Sequence, residues 1–145
     1  MTDHRRPGRL ALAGGLILAL GLAGIAAAWV DAPAANSARV EIPIRYSQYE
    51  RHEVTVRAGV PITFVIHNGD PIDHEWTVGD AGVHERHRTG TEPVHGSRPT
   101  EVTIRAGATA TTTVTFSRPG TYLYVCHLPG HEAYGMVGTL RVTGH

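Results

Sequence analysis

Tyr122-Leu-Tyr-Val-Cys126-His127-Leu-Pro129-Gly130-His131-Glu-Ala-Tyr-Gly135-Met136 carries the strongest signal in this chain. Cys126 ends a strand that starts at Thr121, and Pro129-Gly130 turns the chain immediately afterwards. His131 and Met136 sit on the segment that follows. One loop thus offers a thiolate, an imidazole and a thioether. Ligands of this softness favour copper over magnesium or calcium.

The segments on either side read as an all-β domain. Val137 to Thr143 closes the chain as a strand. Upstream, Val40, Ile42, Ile44 and Tyr46 alternate with polar residues and with Pro43, which suggests an edge strand. Glu53 to Arg57, the β-branched run Ile62 to His67, His74 to Val78, Val102 to Ile104 and the Thr-rich Thr109 to Phe116 follow. Turn chemistry separates them: Ala58-Gly59, Asn68-Gly69-Asp70-Pro71, Gly79-Asp80, Ala106-Gly107 and Arg118-Pro119-Gly120. About eight strands at this spacing predict a β-sandwich, with no helix-period window after Val30.

Copper held by two His, one Cys and a weak axial Met is the blue-copper arrangement, so a second His is needed from elsewhere. His74 is the best placed. It opens a strand just after the Asn68–Pro71 turn, and in a sandwich that strand end can meet the C-terminal loop at one pole. His67 lies within a strand and reads as a hydrogen-bonded sheet residue. His127 follows Cys126, so its side chain faces the opposite way.

The domain resembles the cupredoxins, the small blue copper proteins of plastocyanin and azurin type. The resemblance covers residues 39–145. It rests on Cys126-x-x-Pro129-Gly130-His131-x-x-x-Gly135-Met136 and on the closing Gly138-Thr-Leu-Arg-Val142. It implies a Greek-key β-sandwich that cycles Cu(II) and Cu(I) in electron transfer, with His74, Cys126, His131 and Met136 as metal ligands. It also implies that His131 is the electron port, inside an apolar docking rim of Leu128, Pro129 and Ala133. Asn68 or Asp73 is expected to steady His74 or the sulfur. Glu75, Glu132, Asp70 and Asp73 are carboxylates near enough in sequence to replace Met136 and give a non-blue centre.

Other folds and functions account for fewer residues. The run Cys126-His127-x-x-x-His131 also resembles the last copper motif of multicopper oxidases, but the His that precedes their Cys is Val125 here. The His-x-His pairs that a trinuclear cluster needs are missing from the sequence. A binuclear copper site of the respiratory-oxidase type needs two Cys, and this chain has one. An immunoglobulin-like domain fits Tyr124, two residues before Cys126. Its inter-sheet disulfide is impossible, and it leaves His131 and Met136 unexplained.

The N-terminus reads as a targeting device. Arg5, Arg6 and Arg9 precede an uncharged stretch, Leu10 to Val30, that is long enough to span a bilayer as a helix. Residues 1–34 are therefore expected to be a signal peptide or membrane anchor plus linker, the linker composition running on to Ala38. Either form places the domain outside the cytoplasm, tethered to the membrane through residues 10–30 if uncleaved. The 145 residues carry formal net charge zero, and all 13 basic residues are scattered arginines. No basic run suggests a nucleic-acid surface.

Composition also points to metals, since ten His are many for this length. Asp80 to Arg98 lacks periodicity and reads as a long loop carrying His84, Glu85, His87, Glu92 and His95. If a helical turn forms there, His84 and His87 can share a face, and with His95 they can hold a second metal. The expected function is electron transfer at one type 1 copper, with unidentified redox proteins as partners and no enzymatic activity. The alternative is copper delivery, storage or sensing through the His-rich segment 84–95.

Overall fold

The computed structural model describes residues 38–91 and 98–144. They form strands β1 (Ala38–Arg45), β2 (Gln48–Tyr49), β3 (Glu53–Arg57), β4 (Pro61–Asn68) and β5 (His74–Gly79). Helix α1 (Ala81–Thr89) follows, then β6 (Glu101–Ile104), β7 (Thr109–Thr115), β8 (Gly120–Val125) and β9 (Val137–Thr143). One sheet has the order β2-β1-β4-β7 and the other β3-β9-β8-β5-β6. The N-terminal apolar segment lies outside the described residues. No helix among them is long and apolar enough to cross a membrane.

Period-two patterning decides which face each strand buries. In β1, Val40, Ile42 and Ile44 are buried; in β9, Gly138, Leu140 and Val142 are. These inward faces meet between the sheets, where Phe64 of β4 packs on Trp76 of β5 with ring centroids 4.8 Å apart. Tyr49 lies edge-on to Tyr124 at 5.1 Å. Both tyrosines are fully buried, so each hydroxyl needs a partner: Tyr49 donates to the carbonyl of Glu75, and Tyr124 to that of Arg51. Pro43 is consistent with an edge. β1 pairs with β4 along its length, but on its other side it meets only the two residues of β2.

The structure corrects the sequence reading at two places. A ninth strand, β2, forms a tight hairpin with β1 across Tyr46 and Ser47. The stretch expected to be a loop opens with a nine-residue helix. Asp80 caps α1 by accepting from the amide of Val83 at 3.0 Å, and Gly90 ends it in the left-handed conformation at φ 66°. Arg86, His87 and Arg88 in the last turn suit the helix dipole. The helix has no apolar stripe to betray it, because the residue it buries is His84. Val83 docks against Gly79, where any side chain would collide with it.

Candidate metal centre

Backbone bonds shape the loop between β8 and β9. The amide of Cys126 donates to the carbonyl of Met136 at 3.2 Å, that of Met136 to His131 at 3.0 Å, and that of His131 to Leu128 at 3.0 Å. Gly130 and Gly135 take positive φ of 85° and 90°, values that a side chain would strain. The loop therefore folds back on itself. Cys126 and Met136 are fully buried at its base, and His131 is half-buried above them.

His74, at the first position of β5, is fully buried beneath this loop. Its Nδ1 lies 3.2 Å from Nδ1 of His131, which in turn lies 3.2 Å from Sγ of Cys126. The three donor atoms all fall within 4.8 Å of one another. On the far side of its ring, His74 Nε2 is 2.9 Å from Oδ2 of Asp70. A carboxylate accepts, so Nε2 carries the proton and Nδ1 turns a lone pair towards the cluster.

Burial and hydrogen bonding act in opposite directions on these groups. Burial pushes the Cys126 thiol up, and a hydrogen bond from the amide of Glu75, at 3.3 Å, works against that rise. His131 is pushed down by burial and by the neighbouring His74, which favours its neutral, ligating form. For Asp70, burial acts upwards, but bonds from the amides of Ser47 and Tyr46 and from His74 outweigh it, and its carboxyl lies below the usual range. Two imidazoles and a cysteine sulfur, brought together by the start of β5 and the β8–β9 loop, suit copper and do not suit a hard cation.

Residues 37–143 match the family of copper binding proteins of plastocyanin/azurin type. The chain belongs to this family. It is similar to the copper-resistant cuproprotein CopI of Rubrivivax gelatinosus, 30% identical over 66% of this chain and 59% of that one. It is also similar to the CopI protein of Pseudomonas aeruginosa, 26% identical over 77% of this chain and 80% of that one. The chain thus spans less than two thirds of the Rubrivivax relative. Among solved structures, the dithionite-reduced auracyanin of Roseiflexus castenholzii superposes with a TM-score of 0.62 at 26% identity. That match covers 74% of this chain and 98% of the auracyanin.

Within this cupredoxin, the supporting residues differ from those expected. Asn68 does not reach His74 or the sulfur. Its amide donates to the carbonyls of Ile72, Ile104 and Arg105, and its oxygen accepts from the amide of Asp70. Asp73 accepts from the amide of Ala106. The residue that steadies His74 is Asp70, and the group that bonds to sulfur is the backbone of Glu75. Asp70 was visible only as a turn residue and a possible carboxylate ligand. Its contact to His74, four residues on, depends on how the turn folds.

The other expectations sort by side-chain direction. His67 stays on the exposed face, bonded to Glu41 and Thr109. Leu128 is half-buried, and Pro129 and Ala133 are exposed on the loop that carries His131. Glu132 turns away from the cluster to pair with Arg88, its nearest oxygen 2.6 Å from Nη2. Of the suggested second cluster of His84, His87 and His95, His95 lies outside the described residues, and His84 faces His127, with Nδ1 to Nε2 at 3.0 Å. His127, just beyond β8, does point away from the first cluster and towards His84.

Proposed function

We propose that this cupredoxin is an exported one-electron carrier with a mononuclear type 1 copper held by His74, Cys126, His131 and Met136. The observation that carries the reading is the convergence of Nδ1 of His74, Sγ of Cys126 and Nδ1 of His131 in a buried pocket. Copper supplies the change of oxidation state. The protein supplies a nearly invariant cage: His74 is fixed by Asp70, the sulfur by the amide of Glu75, and Met136 by its backbone bonds to Cys126 and His131. A rigid cage keeps the rearrangement on electron transfer small.

His131 is the half-buried member of the set, so an electron would pass through its ring to a partner docked on Leu128, Pro129 and Ala133. No substrate bond is made or broken, so the proposal is of a carrier and not an enzyme. The basic flank and the apolar stretch Leu10 to Val30 support a location outside the cytoplasm, tethered through that stretch if it is uncleaved.

The test is the visible and EPR spectrum of the protein with one equivalent of Cu(II), beside Cys126→Ser. An intense thiolate-to-copper band with narrow copper hyperfine splitting, lost in Cys126→Ser, is the expected outcome. A pale complex that survives the substitution would overturn it. A second reading, copper handling, is favoured by the names of the CopI relatives, which are called copper-resistant. Ready loss of Cu(I) to a chelator, against repeated redox cycling with copper retained, separates the two.

A further inference from the structure

The imidazoles of His84 and His127 meet on the opposite side of β8 from Cys126, between the strand end and helix α1. His84 is fully buried, and the side chain of His127 is only 6% exposed. Nε2 of His84 lies 3.2 Å from the carbonyl oxygens of both Gly79 and Leu123. Carbonyls only accept, so this nitrogen carries the proton and Nδ1 presents a lone pair to His127. Nδ1 of His127 lies 3.4 Å from a carboxylate oxygen of Glu132, which Arg88 holds in place. With its proton on Nδ1, towards that carboxylate, His127 would turn the Nε2 lone pair back towards His84.

The outer nitrogen of His84 is bonded to backbone carbonyls and that of His127 faces a carboxylate, the kind of arrangement that orients metal-bound histidines. The inner nitrogens are 3.0 Å apart. In the metal-free protein one tautomeric proton must lie between them. If His127 supplies it from Nε2, its Nδ1 lone pair faces the Glu132 carboxylate. A cation between the rings removes that conflict, because neutral His127 then only shifts its proton to Nδ1 and donates to Glu132.

We infer that His84 Nδ1 and His127 Nε2 form a second metal site in this chain, one that takes Cu(II) through nitrogen and water ligands with no sulfur. With bonds of about 2.0–2.1 Å, two nitrogens at this separation subtend roughly 95° at the metal. That suits the tetragonal geometry of Cu(II) better than a tetrahedral ion, and imidazole affinity runs the same way. The remaining positions face a cleft of about 370 Å³ lined by His87, Arg88, His127, Pro129, Gly130 and Glu132. The ring of His87 stacks on that of His127 at 5.0 Å and walls this cleft. Small ligands and the ion itself can enter there. The site goes beyond the electron-carrier reading and does not depend on it.

The experiment is a Cu(II) titration of the metal-free full chain, followed by EPR, for the wild type, His127→Gln and His84→Gln. The wild type should take a second equivalent, with a broad-hyperfine, non-blue signal split by nitrogen. Both variants should lose that signal, with at least tenfold weaker binding of the second ion, while the first equivalent still gives the blue spectrum. The intact blue spectrum reports that the variant is folded; if buried His84→Gln fails this check, His127→Gln decides alone. Saturation of the wild type at one equivalent, or a second signal unchanged in His127→Gln, overturns the site. A second signal without any blue band would uphold this site and sink the electron-carrier reading.

Discussion

Asp70 Oδ2 lies 2.9 Å from Nε2 of His74, and the same carboxylate accepts from the amides of Tyr46 and Ser47. One buried acid therefore ties His74, a proposed copper ligand, to the β1–β2 hairpin. It fixes the ring's tautomer and would raise the basicity of the nitrogen proposed to bind copper. Asp70→Asn keeps the volume and loses the charge. Copper affinity should fall about 10–100-fold, as it does when such partners are removed elsewhere. Competition against a Cu(II) chelator measures it, and an affinity within twofold of wild type would mean that packing alone orients His74.

Met136 is buried at the base of the loop and bonded through its backbone to Cys126 and His131. Met136→Leu keeps the volume and removes the sulfur donor. With one weak donor fewer in an apolar pocket, the lower charge of Cu(I) is favoured. The blue band should persist and the reduction potential should rise. A redox titration that finds the potential unmoved would take Met136 off the list of ligands.

Tyr46 and Ser47 both hold positive φ, 53° and 54°, in the two-residue turn between β1 and β2. Such a turn suits Asn-Gly far better, because a side chain in the left-handed region is strained. The bonds to Asp70 offset that strain. Ser47→Gly keeps the amide that Asp70 binds and relieves one of the two residues. It should stabilise the fold by about 0.5–1 kcal/mol after the loss from a freer unfolded chain, read as a rise in denaturant midpoint at constant slope.

Tyr49 is fully buried, and burial holds its hydroxyl well above the usual tyrosine range. The unfolded chain ionises this group near pH 10 and the folded chain does not. Its contribution to stability is therefore complete below about pH 10 and declines as pH rises beyond it. Melting temperature should fall with alkalinity above that point, and Tyr49→Phe should show a shallower fall despite a lower starting value. Parallel slopes for the two proteins would place the alkaline sensitivity elsewhere, Tyr124, raised to about 12, being the next group to test.

The strands were legible because their burial alternates with period two, as in Val40, Ile42 and Ile44, and because Gly, Pro, Asn and Asp mark the turns between them. Helix α1 was not legible, since its signal is two caps around a polar face, and the side chain it buries is a histidine. Asn68 and Asp73 were reasonable guesses for support of the site. Both bond to backbone instead, because the turn from Asn68 to Asp73 curls so that Asp70 alone points at His74.

By itself the sequence determined that a thiolate, an imidazole and a thioether lie on one loop, since three soft donors within eleven residues around a Pro-Gly turn need no distant partner to be recognised. It also led to the expectation that Cys126 and His127 face opposite ways, which holds although both lie just beyond the end of β8. Only the tertiary structure decided what each of those faces meets. Pairing of β5 with β8 brings His74 to Cys126, and docking of α1 beside β5 and β8 brings His84 to His127. Contacts between residues 43 and 52 positions apart depend on strand register and helix placement, which are set by the packing of the whole core and not by any local stretch of chain.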